Sequence, residues 1–529
     1  MASEVIVDSE ATEVSARAWA ILAAMGLGAL IAQMFSTVIG PALPTIKADL
    51  DLSLSEQTWT ITAYSLAFGT ALVAGGRLGD LVGEVKMIVS GLGIFAVGLV
   101  MAAMANDGGL LIAGRTIQGI GIGISAPATL SIVVNSFPIA RRGFAVGVWG
   151  FAHGAGLLVG PLFAGYMLEF ASWQWVFWVA VPLTVVVIIV TLLATKGYKS
   201  VLAKGSYDWL GLIVGGAGIT LLTFGLQNSS SGWTSPATWG TLIAGVVLLA
   251  VFAFIEMRIE FPLVDFGLWK ERLFSGGFFA ESAVGFVYIP MLTFVGALYF
   301  INVLGFSPVK AGYVILWTTL TCMLLEPGAG WVVDRIGPGI PITFSLALQA
   351  AGLFLMGTFS PTTSGIHLIA PLVMMGAGVG IALPACNTAG MSAVDAKRAG
   401  MGSGLMQMTF NIPAALGVAL VTSVIGTLTL SKVQSAAPNP GVVDSATKYA
   451  TAVQDGNDTL ADQILSALPL DIANAIKDAT VGAQASAITI SMVVLGFVAL
   501  AGAIFAWFCI GRRRTPDHVE VMATHQPAC

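Results

Sequence analysis

Fourteen long apolar stretches occupy most of this sequence, and they restrict its fold more than any other feature. A helix needs roughly 20 apolar residues to cross a hydrocarbon core, and a backbone in lipid must satisfy its hydrogen bonds internally. The sequence therefore predicts an all-α membrane protein with fourteen transmembrane helices. A charged fraction of only 10% argues against a soluble domain. The predicted spans are 19–43, 57–77, 87–105, 110–135, 144–168, 174–195, 208–227, 238–257, 277–301, 311–333, 340–359, 366–392, 401–429 and 485–510.

The distribution of basic residues predicts which side of the membrane each loop faces. With the amino terminus inside, 17 of the 23 Lys and Arg residues lie on the cytoplasmic side, five lie outside, and Arg115 lies within a span. This asymmetry follows the positive-inside rule. We expect a multi-pass protein of the cell (cytoplasmic or inner) membrane with both termini cytoplasmic. Residues 1–16 are polar and acidic, so the first span is expected to be an uncleaved anchor.

An internal repeat divides the chain into two related parts. GRLGDLVG at 76–83 matches GWVVDRIG at 330–337, which places Asp80 and Asp334 at equivalent positions, 254 residues apart. LIAGRTIQGIGIGISAPA, which begins at residue 111, aligns without gaps to LIAPLVMMGAGVGIALPA, which begins 257 residues later. The repeat predicts two pseudo-symmetric six-helix halves, spans 1–6 and 9–14, with spans 7 and 8 inserted between them. Such parallel halves bind substrate at their interface near the membrane midplane.

The spans and the repeat predict five regions. Residues 1–18 form a cytoplasmic tail, 19–195 the amino-terminal half, 196–276 the inserted spans with their linkers, 277–510 the carboxy-terminal half, and 511–529 a second cytoplasmic tail. Within the outer loop, 431–484, apolar residues at roughly helical spacing predict one small amphipathic helix at the surface. These residues are Leu460, Ile464, Leu465, Leu468, Ile472 and Ile476. A tethered hydrophilic loop without a role is the alternative.

The loop motif GRLGDLVGEVK at 76–86 resembles a signature of the major facilitator superfamily, and the span count resembles that of its fourteen-span drug:proton antiporter group. Gly76 and Gly83 permit a tight turn and close helix approach, while Asp80 can accept hydrogen bonds from a helix N-terminus. The resemblance implies the major facilitator fold and a conformational latch, with Asp334 and Arg335 as its counterpart in the second half. A plain turn with a solvated aspartate is the alternative.

A single charge, Arg115, interrupts the span at 110–135 within the sequence RTIQGIGIG. A charge at the centre of a span costs roughly 2.5–3.5 kcal/mol on insertion scales, so Arg115 is expected to face the bundle interior or a wet cavity. The stretch resembles the family's span-4 motif, which implies a part in proton coupling. A structural arginine that binds backbone carbonyls is the alternative.

The stretch GAGLLVGPLFAG at 154–165 resembles the span-5 motif that marks exporters within the superfamily. Small residues permit tight helix packing, and proline bends a helix. The matching stretch of the second half, at 413–421, has no Gly-Pro pair, so the asymmetry favours a directional role over generic packing. The gating residues that this motif implies are Gly156, Gly160, Pro161 and Gly165.

Two departures from the family pattern weaken parts of the resemblance. Phe35 stands where the group usually has an aspartate in span 1, so recognition of cations through that acid is not implied. Leu81, Glu84 and Val85 stand where the latch loop usually has basic residues, which implies a weaker charge relay or partners elsewhere.

Uphill export needs a group that changes charge during the cycle, and ionisable residues inside a membrane are functional by default. Glu281, Glu326 and His153 are the candidates within spans, and they join Arg115 and Asp80 as predicted proton-coupling residues. Burial favours the neutral carboxyl group, which allows proton exchange as access alternates. A carboxyl group paired with a neighbour and a hydrogen-bonded structural histidine are the alternatives.

The substrate cavity is expected to be mostly apolar, as in sites that accept varied hydrophobic molecules. Methionine suits such a site because its side chain is flexible and polarizable. Simple helix packing is the alternative for each aromatic or methionine residue. The predicted lining residues are Met34, Phe35, Met291, Trp317, Met408, Phe410 and Asn411.

These features predict a secondary transporter, not an enzyme, that exports amphipathic or hydrophobic drugs by alternating access in exchange for protons. No ATP-binding loop is present, so the proton gradient is the expected energy source and no cofactor is predicted. The four cysteines lack metal-ligand spacing, and we expect a monomer that binds neither metal nor nucleic acid. A lipid or facilitative carrier with altered or absent proton coupling, and a non-transporting membrane sensor, are the alternatives.

Overall fold

A computed structural model describes most of the chain. Among the described residues the chain is helical and forms no β-strand. Most of the two predicted tails, 1–18 and 511–529, lies outside the described residues, as does Cys529. The described residues are 14–52, 54–203, 207–228, 235–260, 262–360, 362–364, 366–436, 442–454 and 458–511.

Eight helices form the amino-terminal half around its own hydrophobic core. Side-chain caps begin two of them: Ser15 accepts a hydrogen bond from the backbone of α1, and Asp107 accepts one from Leu110 of α5 at 2.8 Å. Gly83 has a φ of 106°, which permits the tight turn after α3. The helices are α1 (Ala16–Thr37), α2 (Ile39–Leu50), α3 (Leu54–Val82), α4 (Glu84–Ala103), α5 (Gly108–Ser136), α6 (Arg142–Phe170), α7 (Gln174–Trp178) and α8 (Ala180–Ala194).

Two further helices follow a linker at 196–203 and pack against each other: α9 (Trp209–Asn228) and α10 (Pro236–Glu256). Helix α9 also contacts α3, where the hydroxyl oxygens of Thr70 and Thr220 lie 3.1 Å apart. The inserted pair therefore lies beside the body of the protein, in contact with it mainly through α9.

The carboxy-terminal half has a second hydrophobic core. After Pro290 its first helix continues as a π-helical segment, Leu292–Val303. The helices are α11 (Arg272–Met291), α12 (Pro308–Ile336), α13 (Gly339–Met356), α14 (Ile366–Ser392), α15 (Ala399–Ala436), α16 (Val443–Gln454), α17 (Asp458–Ser466) and α18 (Leu470–Cys509).

Helical segments lie over all fourteen predicted spans, and the all-α fold is confirmed. Eleven segments among the described residues are long and apolar enough to cross a membrane. The other three predicted spans lie in α3, α9 and α12, so the count of fourteen is not established. Helices α3 and α12 carry the charged residues Arg77, Asp80, Glu326, Asp334 and Arg335, which lowers their mean hydropathy.

The two halves repeat one packing arrangement. Helix α5 packs between α3 and α4, and α14 packs in the same way between α12 and α13. The halves meet along two helix pairs, α3 with α15 and α6 with α12. We call the side of the protein that carries residues 196–203 the linker face, and the side that carries α16 and α17 the outer-loop face.

The outer loop differs from its prediction. Instead of one amphipathic helix, five of the six apolar residues occupy two helices, α17 and the first turns of α18, and Leu468 lies in the break at 467–469 between them. Pro469 immediately precedes α18 and cannot donate a backbone hydrogen bond to continue the earlier helix. Ile476 is buried in a small separate cluster with Val433 and Tyr449, so these helices form a compact cap instead of a lone surface helix.

Candidate functional site

Asp80 connects the two halves at the linker face. From the end of α3 its carboxylate accepts hydrogen bonds from the backbone N–H groups of Gly400 and Met401, at 2.7 and 2.9 Å. These groups open α15, where a helix leaves N–H groups unsatisfied and carries positive partial charge. Arg77, one helical turn earlier, is an electrostatic neighbour of the same carboxylate. Asp80 is therefore a cap that one half supplies to a helix of the other.

Asp334 makes the same arrangement in the second half. From the end of α12 it accepts hydrogen bonds from the N–H groups of Gly143 and Phe144, at 2.7 and 2.8 Å, where α6 begins. Arg335 points elsewhere, with its guanidinium 3.7 Å from the ring centroid of Trp331. We call the Asp80 and Asp334 contacts the two latches.

Glycine brings the backbones together at both latches. A methyl group at Gly76 would collide with the carbonyl of Gly400, and one at Gly330 would collide with the carbonyl of Gly143. One turn further from the linker face, a side chain at Gly147 would collide with the carbonyl of Glu326. The halves are therefore in backbone contact at the linker face.

Above the latches, toward the outer-loop face, a cavity of about 720 Å³ lies between the halves. Helices α1, α3, α5 and α6 line one side, α11 and α15 line the other, and α9 adds Ile219 and Leu222. Its surface is mainly apolar, with neutral polar side chains that include Gln33, Gln407 and Asn411. None of the described residues that line it is an aspartate or glutamate. This chemistry suits uncharged amphipathic molecules more than cations.

The predicted lining residues divide into three groups. Phe410 and Asn411 line the cavity. Met34, Phe35 and Met291 are instead buried in the cores of the two halves, so their assignment to the cavity wall needs correction. The ring of Phe35 lies 5.3 Å from that of Phe95, edge to face, and points away from the cavity. An apolar side chain at the position of the expected acid packs in the core because it needs no polar partner.

The remaining two predicted residues do not line the described cavity either. Trp317 is 49% exposed on α12, and Met408 is half-buried on α15. Sequence reasoning missed Tyr64, Gln33 and Gln407, which do line it. The sequence does carry a signal for the two glutamines, because glutamines in otherwise apolar spans are expected to face a partner or a water-filled space.

Arg115 is fully buried and faces inward. Its Nη1 donates to the carbonyl of Phe35 at 3.1 Å and to Gln118 Oε1 at 2.8 Å, and its Nε donates to the carbonyl of Thr60 at 3.2 Å. Its guanidinium lies 4.4 Å from the ring centroid of Tyr64, a residue of the cavity wall. These contacts match the structural alternative, in which the arginine ties α1 and α3 to α5 through backbone carbonyls.

Glu326 lies at the contact between the halves. Its Oε1 accepts a weak hydrogen bond from Cys322 Sγ at 3.4 Å, while its Oε2 is buried with no hydrogen-bond partner among the described residues. A side chain at Gly150 of α6 would collide with that oxygen. The carboxyl group therefore lies against the opposite half, where any relative movement changes its surroundings.

Glu281 lies inside the carboxy-terminal half, behind the cavity. Its Oε1 accepts a hydrogen bond from Asn387 Nδ2 at 3.1 Å, and its Oε2 makes no hydrogen bond within the described part of the chain. His153 differs from both acids because it lines the cavity, where its ring stacks on Trp149 with centroids 5.6 Å apart. The three candidates thus occupy three separate environments.

The exporter-like glycines pack α6 against α1. Side chains at Gly156 or Gly160 would collide with the backbone of α1 at Leu30 and Met34. Gly165 has open space around it, and Pro161 is exposed on the far side of the helix. The close contact thus involves two of the four residues, on the face of α6 that borders the cavity helix α1.

Two pseudo-symmetric helical halves, latched at one face and enclosing a central cavity, define a membrane transporter. The family model for the Major Facilitator Superfamily matches residues 25–418. The chain belongs to the major facilitator superfamily.

Similar proteins cover almost the whole chain. The tetracenomycin C resistance and export protein of Streptomyces glaucescens is 27% identical over 97% of this chain and 95% of its own length. The multidrug efflux pump LfrA of Mycolicibacterium smegmatis is 27% identical over 93% of this chain and 97% of its own. A crystal structure of a double Trp mutant of XylE shares the fold, with 14% identity, a TM-score of 0.64, and coverage of 97% and 100% of the two chains.

Proposed function

We propose that this protein exports amphipathic or hydrophobic small molecules, including antibiotics, in exchange for protons. The observation that carries the proposal is the cavity, which is large, mainly apolar and free of acidic side chains among its described lining residues. The names of the two relatives, a resistance and export protein and a multidrug efflux pump, support the same substrate class.

The latches support alternating access. Both lie at the linker face, while the cavity lies toward the outer-loop face. In this state the linker face is closed, and substrate leaves from the opposite side. The proposal places the linker face and both termini in the cytoplasm, the protein in the cytoplasmic membrane, and the energy source in the proton gradient, with no cofactor and a monomer as the working unit.

Glu326 and Glu281 are the proposed proton carriers. Glu326 fits a coupling role because its buried carboxyl group touches α6 of the opposite half, so protonation can bias the contact that must separate. Glu281 fits a role within one half, where it faces Asn387.

Inverted membrane vesicles test export and coupling separately. Dye accumulation that collapses with the pH gradient is expected for the antiporter. We expect Glu326→Gln to remove the pH dependence of accumulation. Glu281→Gln should be measured in the same assay. The exposed Glu169→Gln is a matched control. Unchanged pH dependence in both buried variants would exclude these two carriers, while dye accumulation itself would still establish export.

A facilitative carrier is the second candidate, because no acid lines the described cavity and Phe35 replaces the expected span-1 acid. It predicts dye equilibration that does not depend on the gradient. Absence of any dye movement would instead favour a sensor that does not transport.

A further inference from the structure

Two acidic side chains of the inserted helices meet near the linker face, away from the cavity. Asp208 immediately precedes α9 and is 9% exposed, and Glu256 ends α10 and is 2% exposed. Each carboxylate uses one oxygen to bind backbone: Asp208 Oδ1 accepts from Gly211 N at 2.9 Å, and Glu256 Oε2 accepts from Val264 N at 3.1 Å. Both groups are therefore held in fixed positions.

The second oxygen of each carboxyl group faces the other carboxyl group and has no other hydrogen-bond partner among the described residues. These two oxygens, Asp208 Oδ2 and Glu256 Oε1, are buried. A methyl group at Gly211 would collide with both of these atoms at once, so they share one small space over the Gly211 Cα. Two acceptor oxygens in such a space cannot bond to each other without a hydrogen between them.

We infer that Asp208 and Glu256 form a proton-binding site in which the two carboxyl groups share a single proton. The proton supplies the missing O–H donor and removes one of two like charges in a buried space. The inference concerns the inserted helices and does not depend on the direction of transport.

The charged groups around the pair connect it to the Asp80 latch. Arg77 of α3 is 4% exposed and is an electrostatic neighbour of both Glu256 and Asp80. Its Nε is buried and makes no hydrogen bond within the described chain. The Tyr207 hydroxyl, which donates to the Ala74 carbonyl at 3.4 Å, is another neighbour of the pair.

A second connection runs through the segment after α10. Val264, which binds Glu256, is followed by Asp265, and Asp265 forms an ion pair with Arg398. Arg398 precedes Gly400, whose N–H group binds Asp80. Release of the shared proton adds a negative charge near Arg77, which then offsets less of the negative charge of Asp80. The expected result is a weaker latch at high pH on the linker face.

Infrared difference spectroscopy of the full-length protein in lipid nanodiscs tests the shared proton. At neutral pH we expect one protonated-carboxyl band to disappear in Asp208→Asn, and the same single band to disappear in Glu256→Gln. The double variant should lose nothing further, because only one proton is present. Glu260→Gln, an exposed acid near the end of α10, is the matched control and should leave the band in place.

The amide variants can still donate N–H groups to the remaining carboxylate, so they should fold. Unchanged bands from the other buried acids will verify this. A carboxyl band that survives in both single variants would overturn the inference. A second measurement, the distance between spin labels on the two halves at the linker face, should lose part of its pH dependence in Asp208→Asn. If the carboxyl band is lost but the spin-label distance in Asp208→Asn keeps its full pH dependence, the proton site stands and its link to the latch is overturned.

Discussion

Replacing Asp80 with asparagine should open the linker face. The carboxylate accepts two backbone hydrogen bonds from α15, at 2.7 and 2.9 Å. An asparagine oxygen can accept one of them, but its NH₂ group would face the other N–H as a second donor. Asp80→Asn therefore loses one bond and the charge at the start of α15, while the side chain keeps its shape.

The size of the effect follows from these two losses. A hydrogen bond to a charged group contributes about 1.5–3 kcal/mol, and a charge at a helix N-terminus contributes about 0.3–1 kcal/mol. Together they predict that the closed state loses about 2–4 kcal/mol relative to the open one, or roughly 30- to 900-fold in their ratio.

Electron-spin distance measurements can detect this shift. Spin labels at Ala140 and Ala396, both exposed and each beside one of the two latches, report the separation of the halves. We expect a longer-distance population in Asp80→Asn. Asp395→Asn is the control, because Asp395 caps Lys397 within its own segment and makes no such bond to the other half. An unchanged distance distribution in Asp80→Asn, or an equal change in the control, would refute the latch.

Two further substitutions test other parts of the structure. Arg115→Lys should lower the thermal unfolding midpoint, corresponding to a loss of about 2–4 kcal/mol, because a lysine cannot reproduce the planar fork that binds Thr60, Phe35 and Gln118. A midpoint equal to that of the native protein would contradict the structural role. Gly147→Val should prevent closure, since its side chain would collide with the Glu326 carbonyl, and the spin-label distance should lengthen as for Asp80→Asn; Gly93→Val, with open space around it, should behave as native.

The sequence predicted the large-scale organisation because membrane helices and repeats leave direct signals. The lengths of the apolar stretches locate the spans. The 254-residue offset between Asp80 and Asp334 predicts two equivalent helix ends, those of α3 and α12. The partners of these acids were not predictable, because a backbone N–H group is present at every non-proline residue and carries no sequence label.

The cavity was harder to predict than the fold. An apolar side chain on a span can face lipid, core or cavity, and composition does not separate the three. The motif position of Phe35 predicts a cavity residue, yet its side chain packs against Phe95. The inserted helix α9 also lines the cavity, a contact that no repeat could reveal, since α9 has no counterpart in either half.

The reciprocal caps have a consequence for biogenesis. When only the amino-terminal half has been synthesised, the amides of Gly143 and Phe144 lack their acceptor, which lies about 190 residues later in the chain. Asp80 likewise lacks its hydrogen-bond donor until Gly400 has been synthesised. Each half thus leaves the translocon with one helix N-terminus whose cap is supplied only by the other half. Maturation therefore ends when the two halves dock, and neither half is complete alone.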